Sequence, residues 1–237
     1  MVSINIPSGV TDIGYSTFQD CTHLSGITIP DGITEISYDI FMSCTSLEIV
    51  NLPNSVSQIG INAFRNCDVL TSINMPSGVT NIGSAAFYSC YGLSAITIPS
   101  NVTQINDLTF YGCGHLQEVN LPSGLSSIGI GAFAYCSSLS SITIPDSVDS
   151  ILYDAFYNCH SLENITLPSG LTRIEEGAFA DCSSLTSITI PDSVSYISSD
   201  AFYNCTNLTQ IYWNSSVHTY EEFNTKPSYE PSGPADC

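Results

Sequence analysis

CSSLTSITIPDSVSYISSDAFYN, residues 182–204, is one unit of a pattern that fills nearly the whole chain. Leu185, Ile188 and Ile190 are apolar, and Ile188 and Ile190 flank the polar Thr189, so this stretch reads as a short strand with one inward face. Pro191 has no N–H to give to a ladder and ends the strand. Val194 and Ile197 carry the apolar face round the next side, and Phe202 precedes Cys205, which opens the following unit.

Moving outward from this unit, the period is 23 residues and never slips. Phe18, Phe41, Phe64, Phe87, Phe110, Phe133, Phe156, Phe179 and Phe202 are spaced at that interval. The cysteines from Cys21 to Cys205 and the prolines from Pro7 to Pro191 keep the same register. A unit this short cannot bury its own apolar face, but stacked units share one continuous core. The expected architecture is therefore a β-rich solenoid of parallel coils with short strands. At about 4.8 Å per coil, nine coils make a rod of about 45 Å. Ser16, Asp39, Asn62, Asp154 and Asp200 share one position before the Phe. They are helix N-cap types, so a single helical or 3₁₀ turn is expected there. Gly78, Gly124 and Gly170 fall two residues after the Pro and fit a turn.

The unit C-x-x-L-x-x-[IV]-x-[ILM]-P-x-x-[VIL]-x-x-I-x-x-x-A-F resembles the BspA-like, or treponemal-type, leucine-rich repeat over residues 1–213. The Ala before the Phe is replaced by Thr17, Ile40 and Thr109 in three units. The resemblance implies a right-handed leucine-rich-repeat solenoid on a bacterial or protist cell surface, often one module of a larger protein. It implies adhesion to proteins or cells and offers no catalytic residues to carry over.

The ends depart from the pattern. Trp213 takes an apolar slot and Asn214 stands in place of Pro, so residues 214–237 read as a C-terminal cap or tail beyond the 1–213 solenoid. Met1, Ile4 and Ile6 occupy core slots of a unit already under way, which marks that edge as a place for end-to-end homo-association. Residues 1–15 lack the basic start and apolar core of a secretion signal.

Charge excludes whole classes of partner. Three Lys/Arg face 22 Asp/Glu, a formal net charge of −19. Nucleic acid and anionic membrane surfaces both call for basic side chains, so neither is an expected partner. No apolar run is long enough to span a bilayer.

The chemistry-bearing residues fall into ladders. Cysteines stacked at one position all point the same way, whereas tetrahedral zinc needs convergent ligands and a disulfide needs a torsion that parallel side chains fit poorly. Cys21 to Cys182 are therefore expected as reduced, buried thiols, while Cys237 lies off register. His23, His115, His160 and His218 do not converge, so no metal, cofactor or catalytic histidine is expected. The five N-x-[ST] sequons are about what this composition yields by chance and carry no argument.

Two surface ladders remain as candidate binding sites. One is the outward strand residue of successive units: Thr28, Asn51, Asn74, Thr97, Asn120, Thr143, Thr166, Thr189 and Tyr212. The other follows the Phe: Tyr88, Tyr111, Tyr157 and Tyr203, with Tyr91 and Tyr135 nearby. Tyrosine combines a large apolar body with a polar tip and is cheap to order, which suits recognition. The expected function is a non-enzymatic binding or adhesion module, secreted or at a cell surface, that recognises a protein or glycan ligand. The alternative is a structural spacer or fibre subunit.

Overall fold

In the computed structural model, which describes residues 2–213 and 216–218, the chain is a parallel β-solenoid with one coil per 23-residue unit. Each coil has three sides. The first carries the strands Leu24–Thr28, Ile49–Asn51, Ala95–Thr97, Glu118–Asn120, Ser141–Thr143, Asn164–Thr166, Ser187–Thr189 and Gln210–Trp213. Their inner residues, such as Ile96, Ile142 and Ile188, are buried, and their outer neighbours are exposed. The second side carries two-residue strands such as Gln58–Ile59 and Ser127–Ile128, paired in register with the next coil.

The third side corrects an expectation. No helix occurs among the described residues, and the segment before and through each Phe is a run of tight turns. Ser16, Asp39, Asn62 and Asp154 are not N-caps but sit at φ of 54°, 56°, 52° and 55°. A second left-handed residue follows four positions later, as at Ser43, Asn66 and Asn158. Asp, Asn and Ser tolerate this region better than most residues because a short polar side chain bonds locally. The consequence is that alternate amides point along the axis. The N–H groups of Asp39, Phe41 and Ser43 donate to Ile61, Ala63 and Arg65 of the next coil at 2.9, 2.9 and 2.7 Å. Those of Met42 and Cys44 close turns on Asp39 and Phe41 within their own coil.

The core is one column. Phe41 to Phe179 are fully buried and stack at centroid spacings of 5.3–5.6 Å, and Phe202 closes the column. Phe18 at the first coil is only half-buried. Where the Ala slot varies, the core absorbs the change. Ile40 is buried, and the Thr109 hydroxyl donates to the Asn106 carbonyl at 2.7 Å.

The thiols from Cys44 to Cys182 are free and buried, as expected, and Cys205 joins them, but Cys21 is only half-buried because it belongs to the first coil. At the other end, Ser216–His218 pairs antiparallel with Gln210–Trp213, the single reversal among the described residues. The rest of the expected cap at 214–237, like Met1, lies outside the described residues.

Candidate binding surfaces

The strand-side ladder is placed as its spacing predicts. Thr28, Asn51, Asn74, Thr97, Asn120, Thr143, Thr166, Thr189 and Tyr212 are all exposed on one side of the solenoid. Neighbours in this row bond to each other. Asn51 Nδ2 donates to Thr28 Oγ1 at 3.1 Å, and Asn120 Nδ2 donates to Thr97 Oγ1 at 3.4 Å and to Glu118 Oε1 at 3.0 Å. The hydroxyl of Tyr212 donates to Gln210 Oε1 at 2.7 Å.

The strand ladder is not continuous. Ala95–Thr97 pairs with Glu118–Asn120, Ser141–Thr143 with Asn164–Thr166, and Ser187–Thr189 with Gln210–Trp213, but these pairs are separate sheets. At the intervening joints the bend after the proline also carries bonds between coils, as it does at the paired joint of Leu24–Thr28 with Ile49–Asn51, where Ser55 Oγ donates to Ile33 O at 2.7 Å. Asn101 Nδ2 donates to Ser77 O at 3.2 Å, while Ser147 Oγ lies against Ser123 O and Leu125 O. Ser193 Oγ lies against Ser169 O and Leu171 O, both at 2.7 Å. The joint between the coils of Met75 and Ile98 opens as a groove of about 400 Å³ lined by Asn74, Met75, Ala95, Thr97 and Pro99. The joint between the coils of Leu121 and Ile144 opens as one of about 450 Å³ lined by Asn120, Leu121, Ser141, Thr143 and Pro145. The two grooves use equivalent positions 46 residues apart. Asn74 and Asn120, both candidates from sequence, stand at their mouths, whereas the grooves themselves were not expected.

The tyrosine ladder is closed on itself. The Arg65 guanidinium lies 4.4 Å from the Tyr88 ring, which stacks on Tyr111 at 4.6 Å and 6°. Tyr111 meets Tyr135 at 5.0 Å, and Tyr135 meets Tyr157 edge-on at 5.3 Å. Ala134 leaves the slot that Tyr135 fills from the next position, at φ 60°. Burial pushes the phenols of Tyr111 and Tyr157 up, helped by Tyr135 and Tyr88 around the first and by Asp181 beside the second. Tyr88, Tyr111 and Tyr157 are half-buried, and Tyr203 stands outside this band, exposed. Stacked rings spend their faces on one another, so the band offers edges and hydroxyls. Tyr91 packs instead on His115, with centroids 4.3 Å apart.

Parallel coils of this period, an apolar column and an outward polar row define a leucine-rich-repeat protein. The model of the BspA type leucine rich repeat region matches residues 1–115 and 103–224, with six copies, and the chain belongs to that family. Among solved structures it is similar to a leucine rich cell surface protein from Faecalibacterium prausnitzii, at 28% identity and a TM-score of 0.52. That match covers 94% of this chain and 89% of the other. It is also similar to the T. pallidum leucine rich repeat protein, at 29% identity and a TM-score of 0.55, covering 78% of each chain. No curated protein matches. No helix among the described residues is long and apolar enough to cross a membrane.

Proposed function

We propose that the chain is a non-enzymatic binding module of a cell-surface or secreted bacterial protein, recognising a protein or glycan through its repeat surface. The observation that carries this reading is the strand-side row, nine exposed polar or aromatic residues held in register by a rigid core. A surface of repeated donors and acceptors on a stiff scaffold loses little entropy on binding. The cell-surface name of the F. prausnitzii relative supports the location.

The test is to immobilise the purified chain, screen extracellular proteins and a glycan array, and repeat any binding with two variants. Asn51→Lys with Asn74→Lys and Asn120→Lys alters the strand side; Tyr88→Ala with Tyr111→Ala, Tyr157→Ala and Tyr203→Ala alters the tyrosine side. Binding lost in the first set supports the strand-side row, and binding lost in the second moves the site to the tyrosines. A partner indifferent to both sets overturns recognition through the repeat surface.

One observation favours end-to-end association as a second reading. Ile4 is 36% exposed at the outer edge of the first sheet, while its ladder equivalent Ile27 is 3% exposed. With the half-buried Ile6 it forms an apolar edge that a second copy's strand can cover. Met1, the third residue of that expected edge, lies outside the described residues.

A further inference from the structure

The position three residues before each Phe holds tyrosine in adjacent coils only at Tyr15 and Tyr38. Ile61 takes the slot in the third coil, and Tyr153 stands alone between Ile130 and Glu176. Backbone bonding fixes the spacing of the pair, because the Ser16 N–H donates to the Tyr38 carbonyl at 3.2 Å. The two rings stack with centroids 4.7 Å apart and planes 9° from parallel. Tyr15 is 64% exposed and Tyr38 46%, so solvent reaches both.

One other tyrosine pair among the described residues stacks near parallel, and its setting differs. Tyr88 and Tyr111 lie at 4.6 Å and 6°, but both are half-buried. Arg65 sits over the first and Tyr135 against the second, so neither ring has room to turn. Burial also pushes the Tyr111 phenol up and keeps it protonated.

We propose that Tyr15 and Tyr38 are a site of oxidative cross-linking, where a haem peroxidase using hydrogen peroxide joins the two rings as dityrosine and ties the first coil to the second. Each phenol gives one electron and one proton to the enzyme, and these two pairs reduce one peroxide to two waters. The two phenoxyl radicals then form a carbon–carbon bond between the positions ortho to their oxygens. Each bonded carbon gives up its hydrogen as a proton and each oxygen regains one. Both phenols are restored, and the chain has lost two hydrogens in all.

Contact selects the coupling partner. Even a flexible tether gives an effective concentration of about millimolar, and rings already stacked exceed that. A second copy at micromolar concentration competes poorly, and a net charge of −19 opposes its approach. Exposure selects the pair, because the oxidant must reach both rings and the rings must turn to bond. The link also falls where packing does least. Phe18 and Cys21 of the first coil are half-buried, whereas Phe41 and Cys44 of the second are fully buried, and Ile4 is exposed where Ile27 is not. A bond between residues 23 apart restricts the open states of that coil.

The test treats the full chain at micromolar concentration with a haem peroxidase and hydrogen peroxide. Dityrosine fluorescence, intact mass and peptide mapping read the product. The monomer should lose two hydrogens in mass, with the link mapped between Tyr15 and Tyr38. Tyr38→Phe should lower the monomer's dityrosine fluorescence at least about tenfold. Tyr111→Phe alters the half-buried stack, and Tyr153→Phe removes a tyrosine as exposed as Tyr38 but not stacked on another. Each should change the signal less than about twofold, with circular dichroism showing all variants folded. Hydrogen exchange over residues 2–20 should slow about tenfold in the treated parent and stay unchanged in treated Tyr38→Phe. A link mapped to Tyr88 and Tyr111, equal losses in the three variants, dityrosine only in dimers, or none at all overturns the inference. A correctly mapped link that leaves hydrogen exchange unchanged overturns it too, since the coils would then not be tied.

Discussion

The thiol of Cys113 donates to the carbonyl of Phe87 at 3.1 Å, and that same carbonyl accepts the amide N–H of Cys90 at 3.1 Å. Each thiol from Cys44 to Cys205 repeats this contact with the Phe of the coil before it, at 3.0–3.3 Å. A buried carbonyl has two lone pairs, and the turn satisfies only one of them. Alanine would leave the second unmet, valine would bring more volume and no donor, and serine would bury a more strongly polar group. Cysteine is a small hydrophobe that also carries a weak donor, which explains its place in every coil.

The Phe and Tyr ladders differ in what they contribute. Phe110 is fully buried between Phe87 and Phe133, so Phe110→Ala should leave a cavity costing about 3–5 kcal/mol. Tyr111 is half-buried, with its ring against Tyr88 and Tyr135, and Tyr111→Ala should cost about a third of that. Urea unfolding of the two variants measures the difference, and equal losses would mean that the inner and outer sides of this segment are misassigned.

The left-handed turns set a separate requirement. Asn66 sits at φ 59°, where a β-branched residue is strained. Asn66→Val should therefore destabilise by about 2 kcal/mol, while Asn66→Gly should stay within about 0.5 kcal/mol of the parent. A tolerated valine would show that the backbone at this position relaxes out of the left-handed region.

Residue spacing displays the solenoid because each core slot is filled by one residue type per coil, as with Phe87, Cys90 and Leu93. The turn side is less legible for a chemical reason. Asp39 and Asn62 belong to the set that favours N-caps and also to the set that tolerates positive φ. The distinguishing sign is a second such residue four positions on, at Ser43 and Asn66. The grooves escape a reading at period 23, which sees Gly78, Gly124 and Gly170 only as turn residues. Their spacing of 46 residues, matched by Leu121 and Leu167 against Ile144 and Ile190, is a regularity that the two grooves share. Nothing in the spacing of Tyr88 and Tyr111 reveals that their rings stack on each other rather than on a ligand.

The apolar edge at Ile4 and Ile6 predicts salt-dependent self-association. A net charge of −19 opposes contact between copies, and screening weakens that repulsion, so the dimer fraction should rise with salt. Ile4→Lys with Ile6→Lys should abolish the dimer and leave the later coils folded. Sedimentation velocity at low and high salt decides it. A monomer at both, with residues 2–15 well protected from hydrogen exchange, would mean that this edge needs no partner.

The thiol ladder also sets an alkaline limit on stability. Burial pushes the Cys44, Cys159 and Cys205 thiols up to about 12, and it moves Cys67, Cys90, Cys113, Cys136 and Cys182 in the same direction. In the unfolded chain a thiol ionises near pH 8.5. Above that pH the unfolded state releases protons that the folded state keeps, so stability is fully present below about pH 8.5 and falls toward the folded values. Each thiol contributes a slope of about 1.4 kcal/mol per pH unit, so eight together approach 11 kcal/mol per unit. That is comparable to the whole stability of an ordinary domain, about 5–15 kcal/mol. The phenols of Tyr111 and Tyr157, also raised, add to the loss above about pH 10. Circular dichroism in the presence of reductant should therefore show cooperative unfolding between about pH 9 and pH 11. Thiol reagents should label the ladder only as unfolding proceeds, since the reactive thiolate is absent from the folded state. Cys113→Ser removes one titrating group and should make the pH slope shallower by about one proton, whatever it does to stability at neutral pH. Stability that stays flat from pH 8 to pH 10.5 would show that the buried thiols are not held protonated, and the hydrogen-bonded thiol ladder would fail with it.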